Sequence, residues 1–167
     1  MANLSILQKN IAVFTPKSSQ DLAATAEIFR EYAIGLGVDL CFQGFDAELA
    51  DLPGEYRSPR GALLLAKVDS VIAGCCGLRP LDSSDYVNAA EMKRLYVRSD
   101  YRGFGLGRQL ADAILDTARI AGYDSVLLDT LDEMEVARAM YEDLGFKEIP
   151  PYYHNPLSGA HYLKVDL

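Results

Sequence analysis

Long apolar runs are missing from this 167-residue chain. No stretch of about 18 apolar residues occurs, so no membrane-spanning helix is expected. Met1 to Thr15 lacks the charged-then-apolar layout of a secretory leader, and none is expected. Histidine and cysteine are scarce. His154 and His161 are too few and too scattered for a metal site, and Cys41, Cys75 and Cys76 are odd in number and lack metal-ligand spacing. Neighbours in a strand point to opposite faces, so Cys75 and Cys76 read as small core-filling residues in a reducing cytoplasm. Positive charge is also short: 16 Lys and Arg stand against 24 Asp and Glu, for a net charge of -8. Phosphate binding needs a basic footprint, which excludes a nucleic-acid partner. The acidic surface reads as an ordinary solubility device and is compatible with a cationic ligand. Internal repeats, linkers and low-complexity tracts are absent. At half hydrophobic content, residues 1–167 are expected to build one domain with a proper core.

What is present is a regular alternation of strands and helices. Ile11 to Phe14 reads as a short strand. Ser18 with Asp21 resembles a capping box before a helix carrying Leu22, Ala26, Phe29 and Ala33, ended by Gly35 and Gly37. A second helical patch runs from Phe45 to Ala50, closed by Pro53-Gly54. A hairpin is expected from Gly61 to Val68 and Val71 to Leu78, turning at Asp69-Ser70, with further strands at Glu91 to Val97 and Ser125 to Asp129. Between those two strands a helix shows an apolar stripe of Leu106, Leu110, Ala113, Ile114, Thr117 and Ala121, ended by Gly122. Asp132 with Glu135 is expected to cap the next helix, and Gly145 sits where a left-handed C-cap belongs. The tail is β-like, broken at Pro150-Pro151 and Pro156. This pattern gives an α/β fold, a mixed sheet with helices on both faces.

The most informative run is Arg102-Gly103-Phe104-Gly105-Leu106-Gly107-Arg108, between a strand and a helix. Alternate glycines strip side chains from a turn at a helix N-terminus, where the first N–H groups lack partners and the dipole is positive. Such a turn holds phosphate at close range. The spacing fails the dinucleotide fingerprint at its third glycine, and no Lys-Ser or Lys-Thr completes a P-loop. It does match R-x-x-G-x-G, as Arg102-x-x-Gly105-x-Gly107. Downstream, Ala137 to Phe146 carries A-x-x-x-Y-x-x-x-G-F. Together these resemble the GNAT superfamily of acyl-CoA-dependent N-acetyltransferases, over residues 62–167 and in the family's element order.

The resemblance implies a single-domain GNAT-like fold: a mostly antiparallel sheet with a splayed parallel strand pair. Residues 1–60 would be an acceptor-side segment, and 61–167 the hairpin, the acetyl-CoA-binding core and the C-terminal strands. It implies acetyl-CoA as cofactor, no metal, and a coenzyme site made by the backbone of Leu95, Tyr96 and Val97 and by Arg102, Gly103, Phe104, Gly105, Leu106, Gly107 and Arg108. Tyr141 is the implied acid at the coenzyme sulfur; on periodicity alone it is equally a core tyrosine. Glu91 is the implied base, relaying a proton through water; the competing reading pairs it with Lys93 on the same strand face. Family members often have an Asn where this chain has Met134, so that pantetheine contact is lost or passes to Asp129 or Thr130.

The acceptor is expected to meet Gln43, Phe45, Arg79, Arg94, Tyr152, Tyr153 and Asn155. Arg79 and Arg94 on adjoining strands either clamp a substrate carboxylate or serve structural ion pairs. The expected activity is acetyl transfer to a primary amine of a small molecule, such as an amino acid, by direct attack in a ternary complex. Protein N-terminal or lysine acetylation, and a non-catalytic acyl-CoA sensor, are the alternatives. A cytoplasmic monomer or homodimer is expected.

Overall fold

The architecture follows from an open sheet whose strands part near its centre. The computed structural model describes residues 9–167, the Phe42 side chain apart. The stretch 1–8, read above for a leader, lies outside the described residues. In chain order the elements are β1 (Ile11–Phe14), α1 (Ser19–Leu36), a 3-10 turn (Cys41–Gln43), α2 (Phe45–Ala50), a second such turn (Gly54–Tyr56), β2 (Ala62–Val68), β3 (Val71–Pro80) and β4 (Ala89–Val97). Then follow α3 (Leu106–Ile120), β5 (Ser125–Leu131), α4 (Glu135–Asp143), β6 (Lys147–Ile149) and β7 (Ala160–Asp166). Among the described residues the strands form one sheet in the order β1-β2-β3-β4-β5-β7-β6. Among these, only β4 and β5 run parallel.

Local chemistry accounts for most boundaries. Ser18 Oγ accepts from Asp21 N at 3.0 Å and Asp21 Oδ2 accepts from Ser18 N at 3.4 Å, the expected capping box. Gly37 at φ 66° ends α1. Asp69 and Ser70, at φ 48° and 76°, supply the twist that a two-residue hairpin requires. One expected cap is corrected. Met134, without a side-chain cap bond, precedes α4, while Asp132 pairs with His161 and Arg138. β5 continues to Leu131, which pairs with Ala160, and carries Asp132 towards β7 instead of the helix end.

Each sheet face buries its own core. On one, Leu106, Leu110, Ile114 and Ala118 of α3 meet Val126, Leu128, Tyr141 and Phe146. The buried stripe is rotated from the expected one: Ala111, Leu115 and Ala118 are buried, Ala113 and Thr117 are half-buried, and Ala121 is exposed. On the other, Ile28 and Phe29 of α1 pack on Tyr56, Leu65 and Cys75. Cys75 and Cys76 fall into opposite cores, as their adjacency in a strand dictates.

Two irregularities open the middle of the sheet. The β4–β5 register holds only for Ala89↔Ser125, Ala90↔Val126 and Glu91↔Leu127; beyond Glu91 the strands part. Opposite β3 the register shifts between Cys75 and Gly77, and Arg94 sits at φ 60°, a conformation uncommon for a residue with a Cβ. A bulge of this kind bends its strand and re-aims side chains, here at the point where β4 leaves β5.

Candidate active site

The glycine turn is built from backbone. Gly103 and Gly105 stand at φ 86° and 77°, and a Cβ at either would meet no atom within 4 Å, so open space surrounds both. Gly105 is the N-cap of α3 and no side chain caps that end. The first N–H groups of a 15-residue helix thus face outward beside two glycines, the arrangement that receives an anion. These residues fit the pyrophosphate of a coenzyme A. Phe104 is exposed at the turn, whereas Leu106 is buried and contributes through backbone only. Arg102 Nε donates to the Val97 carbonyl at 2.9 Å, so this carbonyl is occupied by the chain itself. Arg108 departs from expectation. Its Nη1 meets Asp143 Oδ2 at 2.6 Å and its Nε meets Asp112 Oδ2 at 3.3 Å, which ties it to α4 and its own helix and not to the turn.

Where β4 and β5 part, a cavity of about 30 Å³ is lined by Tyr32, Gln43, Met92, Lys93, Arg94, Leu95, Asp129, Thr130 and Tyr141, among others. It joins the two faces of the sheet. Met92 and Tyr141 belong to the α3–α4 side, Tyr32 and Gln43 to the α1–α2 side. Tyr141 is 5% exposed and packs edge-on against Phe146 at 5.5 Å. Burial pushes its phenol well above the usual 10.0, with the fields of Cys76 and Tyr32 adding to it. The hydroxyl therefore keeps its proton. Met134 is also on the cavity wall, where its sulfur accepts from Thr130 Oγ1 at 3.5 Å.

The expected base is placed differently. Glu91 is 1% exposed and sits before the strands part. Its Oε1 accepts from Arg79 Nε and Nη2, both at 2.8 Å, and its Oε2 accepts from the Tyr152 hydroxyl at 2.6 Å. Burial alone would raise this carboxyl, yet the fields of Lys93 and Arg79 with those hydrogen bonds carry it below its ordinary 4.5. A carboxylate held so firmly in its ionised form and shut away from the surface is a poor proton acceptor. The structure holds Glu91 in an ion pair, with Arg79 at hydrogen-bond distance and Lys93 at 3.8 Å.

Both arginines are likewise consumed. Arg94 gives Nε and Nη2 to the Glu48 carboxylate at 3.0 and 3.1 Å and Nη1 to Gln43 Oε1 at 2.7 Å, with its guanidinium 5.0 Å over the Phe45 ring. Arg79 adds Glu55 at 3.1 Å to its Glu91 bonds. A carboxylate clamp needs an unengaged guanidinium fork, and neither has one. Phe45 is 8% exposed and packs in the α1-side core beneath Arg94, which removes it from the acceptor wall.

The C-terminal loop reaches across to the cavity. Tyr153 OH and Asn155 Nδ2 donate to Asp129 Oδ2 at 2.7 and 3.2 Å, and Gln43 Nε2 reaches Tyr153 OH at 3.3 Å. Tyr152, Tyr153 and Tyr162 pack ring against ring at 5.4 to 5.7 Å. Two residues gain weight beyond the sequence reading. Lys93, read there only as a partner for Glu91, is buried on the cavity wall, and Asp129 joins it on the same sheet face. The available signals were a lysine inside a strand with buried neighbours and an aspartate after the apolar run Val126 to Leu128, at the carboxyl end of a parallel strand.

The sequence pattern of the Acetyltransferase (GNAT) family matches residues 23–146. An uncharacterized N-acetyltransferase of Schizosaccharomyces pombe is 38% identical over 159 residues, covering 95% of this chain and 96% of its own. An N-acetylaspartate synthetase of Xenopus tropicalis is 27% identical over 113 residues, 67% of this chain and 41% of its own. Among solved structures, an N-acetyltransferase from Thermoplasma acidophilum in complex with coenzyme A has the same fold. Its TM-score is 0.70 at 18% identity, over 95% of this chain and 99% of its own.

Proposed function

This chain belongs to the GNAT family and is an N-acetyltransferase that uses acetyl-CoA, and from that premise we propose that it acetylates the primary amine of a small molecule by direct attack in a ternary complex. The observation that carries the proposal is the cavity at the parting of β4 and β5, with Tyr141 on its wall and Gln43 and Tyr32 reaching it from the other face. Acetyl-CoA supplies the activated acetyl thioester. The outward N–H groups from Gly103 to Gly107 hold its pyrophosphate, and the unpaired edge of β4 at Leu95 and Tyr96 accompanies its arm. Tyr141 holds a proton at the cavity, the property required of a group that meets a departing thiolate. Glu91 serves as the anchor that fixes Arg79 and Tyr152.

Enclosure favours a small acceptor. The bridge from Gln43 through Tyr153 to Asp129 and Asn155 closes the acceptor face with side chains from three separate segments. A polypeptide substrate requires an open groove there. A relative named for N-acetylaspartate fits the small-acceptor reading. The test is thiol release from acetyl-CoA with a panel of small primary amines, N-terminal peptides and lysine peptides. Small amines are expected to give the highest kcat/KM. Turnover of peptides alone would overturn the proposal, and coenzyme binding without turnover of any amine would favour a sensor.

A further inference from the structure

Two charges on the cavity wall are left over once every other ion pair around it is formed. Arg94 is matched by Glu48, and Arg79 by Glu91 and Glu55. Lys93 is not matched in this way. Its side chain is 4% exposed, and the nearest carboxylate oxygen, Glu91 Oε1, stands 3.8 Å from Nζ, beyond hydrogen-bond reach and already held by Arg79. Asp129 is the other remainder. Both of its hydrogen bonds fall on Oδ2, which leaves Oδ1 without a partner among the described residues. Side chains of Lys93 and Asp129 line the same cavity without pairing with each other. A buried cation and a half-buried anion on one cavity wall, each with hydrogen-bonding capacity that no protein group fills, suit a ligand of both charges.

We propose that Lys93 and Asp129 together select an α-amino acid as the acetyl acceptor, Asp129 receiving its ammonium group and Lys93 its carboxylate. The inference rests on the small-molecule reading above and names its substrate class. Both side chains line one small cavity, so an acceptor that reaches both carries its amine and its carboxylate close together, as an α-amino acid does. The position of Lys93 on β4, two residues past Glu91 and beside the opening, brings the positive charge to the acceptor face. The carboxylate clamp thus exists, built on a lysine instead of the two arginines of the sequence reading. Burial lowers the pKa of Lys93, and Glu91 and Asp129 counteract that, so an arriving carboxylate further favours its charged form.

The test compares amino acids with their decarboxylated partners, such as alanine with ethylamine and phenylalanine with phenethylamine. It uses thiol release with the full chain, and calorimetric titration of each amino acid into the coenzyme A complex. Wild type is expected to prefer the amino acid by about 10²-fold in kcat/KM, chiefly through KM, because a buried polar site rejects a ligand that leaves it unpaired. In Lys93→Met the amino acid loses about tenfold more than its partner and its calorimetric affinity falls, while Lys93→Arg recovers part of the preference. Equal reaction within each wild-type pair overturns the inference and leaves the small-molecule reading standing. So does a Lys93→Met variant that slows both members alike. Turnover confined to peptides overturns both.

Discussion

The proposed coenzyme side and the proposed acceptor side of this molecule are built by opposite means. The glycine turn works by backbone: two glycines at positive φ, an uncapped helix end and a strand edge from which β5 has withdrawn. The acceptor face works by side chains, with Gln43, Glu48, Arg79, Lys93, Arg94, Asp129, Tyr152 and Asn155 drawn from segments more than 100 residues apart. Backbone recognition is set by a few consecutive residues and tolerates much change elsewhere. Side-chain recognition depends on which charges find each other, and most of the charges here have found partners within the protein. Only the remainder is available to a substrate.

Changes at the turn should therefore abolish binding outright, while changes on the acceptor face should be graded by how firmly each group is already paired. Gly105→Val is expected to have the largest effect. A β-branched residue is strained at φ 77°, and its side chain would enter the space left open for the pyrophosphate. Acetyl-CoA binding by calorimetry should be lost in a variant whose circular dichroism is native, and unchanged affinity would remove the turn from the coenzyme site.

Arg94→Ala comes next. It leaves the largely covered Glu48 carboxylate without its partner, and removal of one member of a buried pair costs about 3–5 kcal/mol. Denaturant unfolding should show a loss of that order. A loss below about 1 kcal/mol, the range of exposed pairs, would mean that Glu48 is solvated.

Tyr141→Phe tests the cavity where the two sides meet. The ring stays and the hydroxyl goes, so kcat should fall by about 10²-fold with little change in coenzyme affinity. Wild-type kcat, with chemistry shown to be rate-limiting, would leave Tyr141 a packing residue.

Glu91→Gln should be milder in rate, less than about tenfold per folded molecule, because a base would cost 10²-fold or more. Its clearer effect is on acid stability. The folded carboxyl titrates below its ordinary 4.5, so its contribution is present above that value and drains away as pH falls through the lower folded pKa. The variant should lack that part of the wild-type slope below pH 4.5. A rate loss of 10²-fold would restore Glu91 as the base.

Arg108→Ala should do least. Its pairs with Asp112 and Asp143 are exposed, and such pairs contribute about 0–1 kcal/mol. Acetyl-CoA affinity should change less than about threefold. A larger drop would return Arg108 to the phosphate.

The sequence by itself determined whatever is carried by neighbouring residues. The capping box at Ser18, the hairpin turn at Asp69-Ser70, the opposite-facing Cys75 and Cys76 and the glycine turn before α3 all depend on contacts within a few positions, where residue type and φ preference act directly. Tertiary structure alone decided the fate of the charges. Glu91 and Lys93 lie on one strand face, and sequence allowed either a relay or an ion pair. The outcome turned on Arg79 and Tyr152, which enter from β3 and the C-terminal loop. Arg94 was withdrawn from the acceptor by Glu48 on α2, 46 positions away in the chain. Electrostatic energy depends on distance in space and on exclusion of water, neither of which is written in spacing along a chain. The pairings that consume charge, and those left unfilled for a ligand, exist only once the sheet has parted and the loop has closed over it.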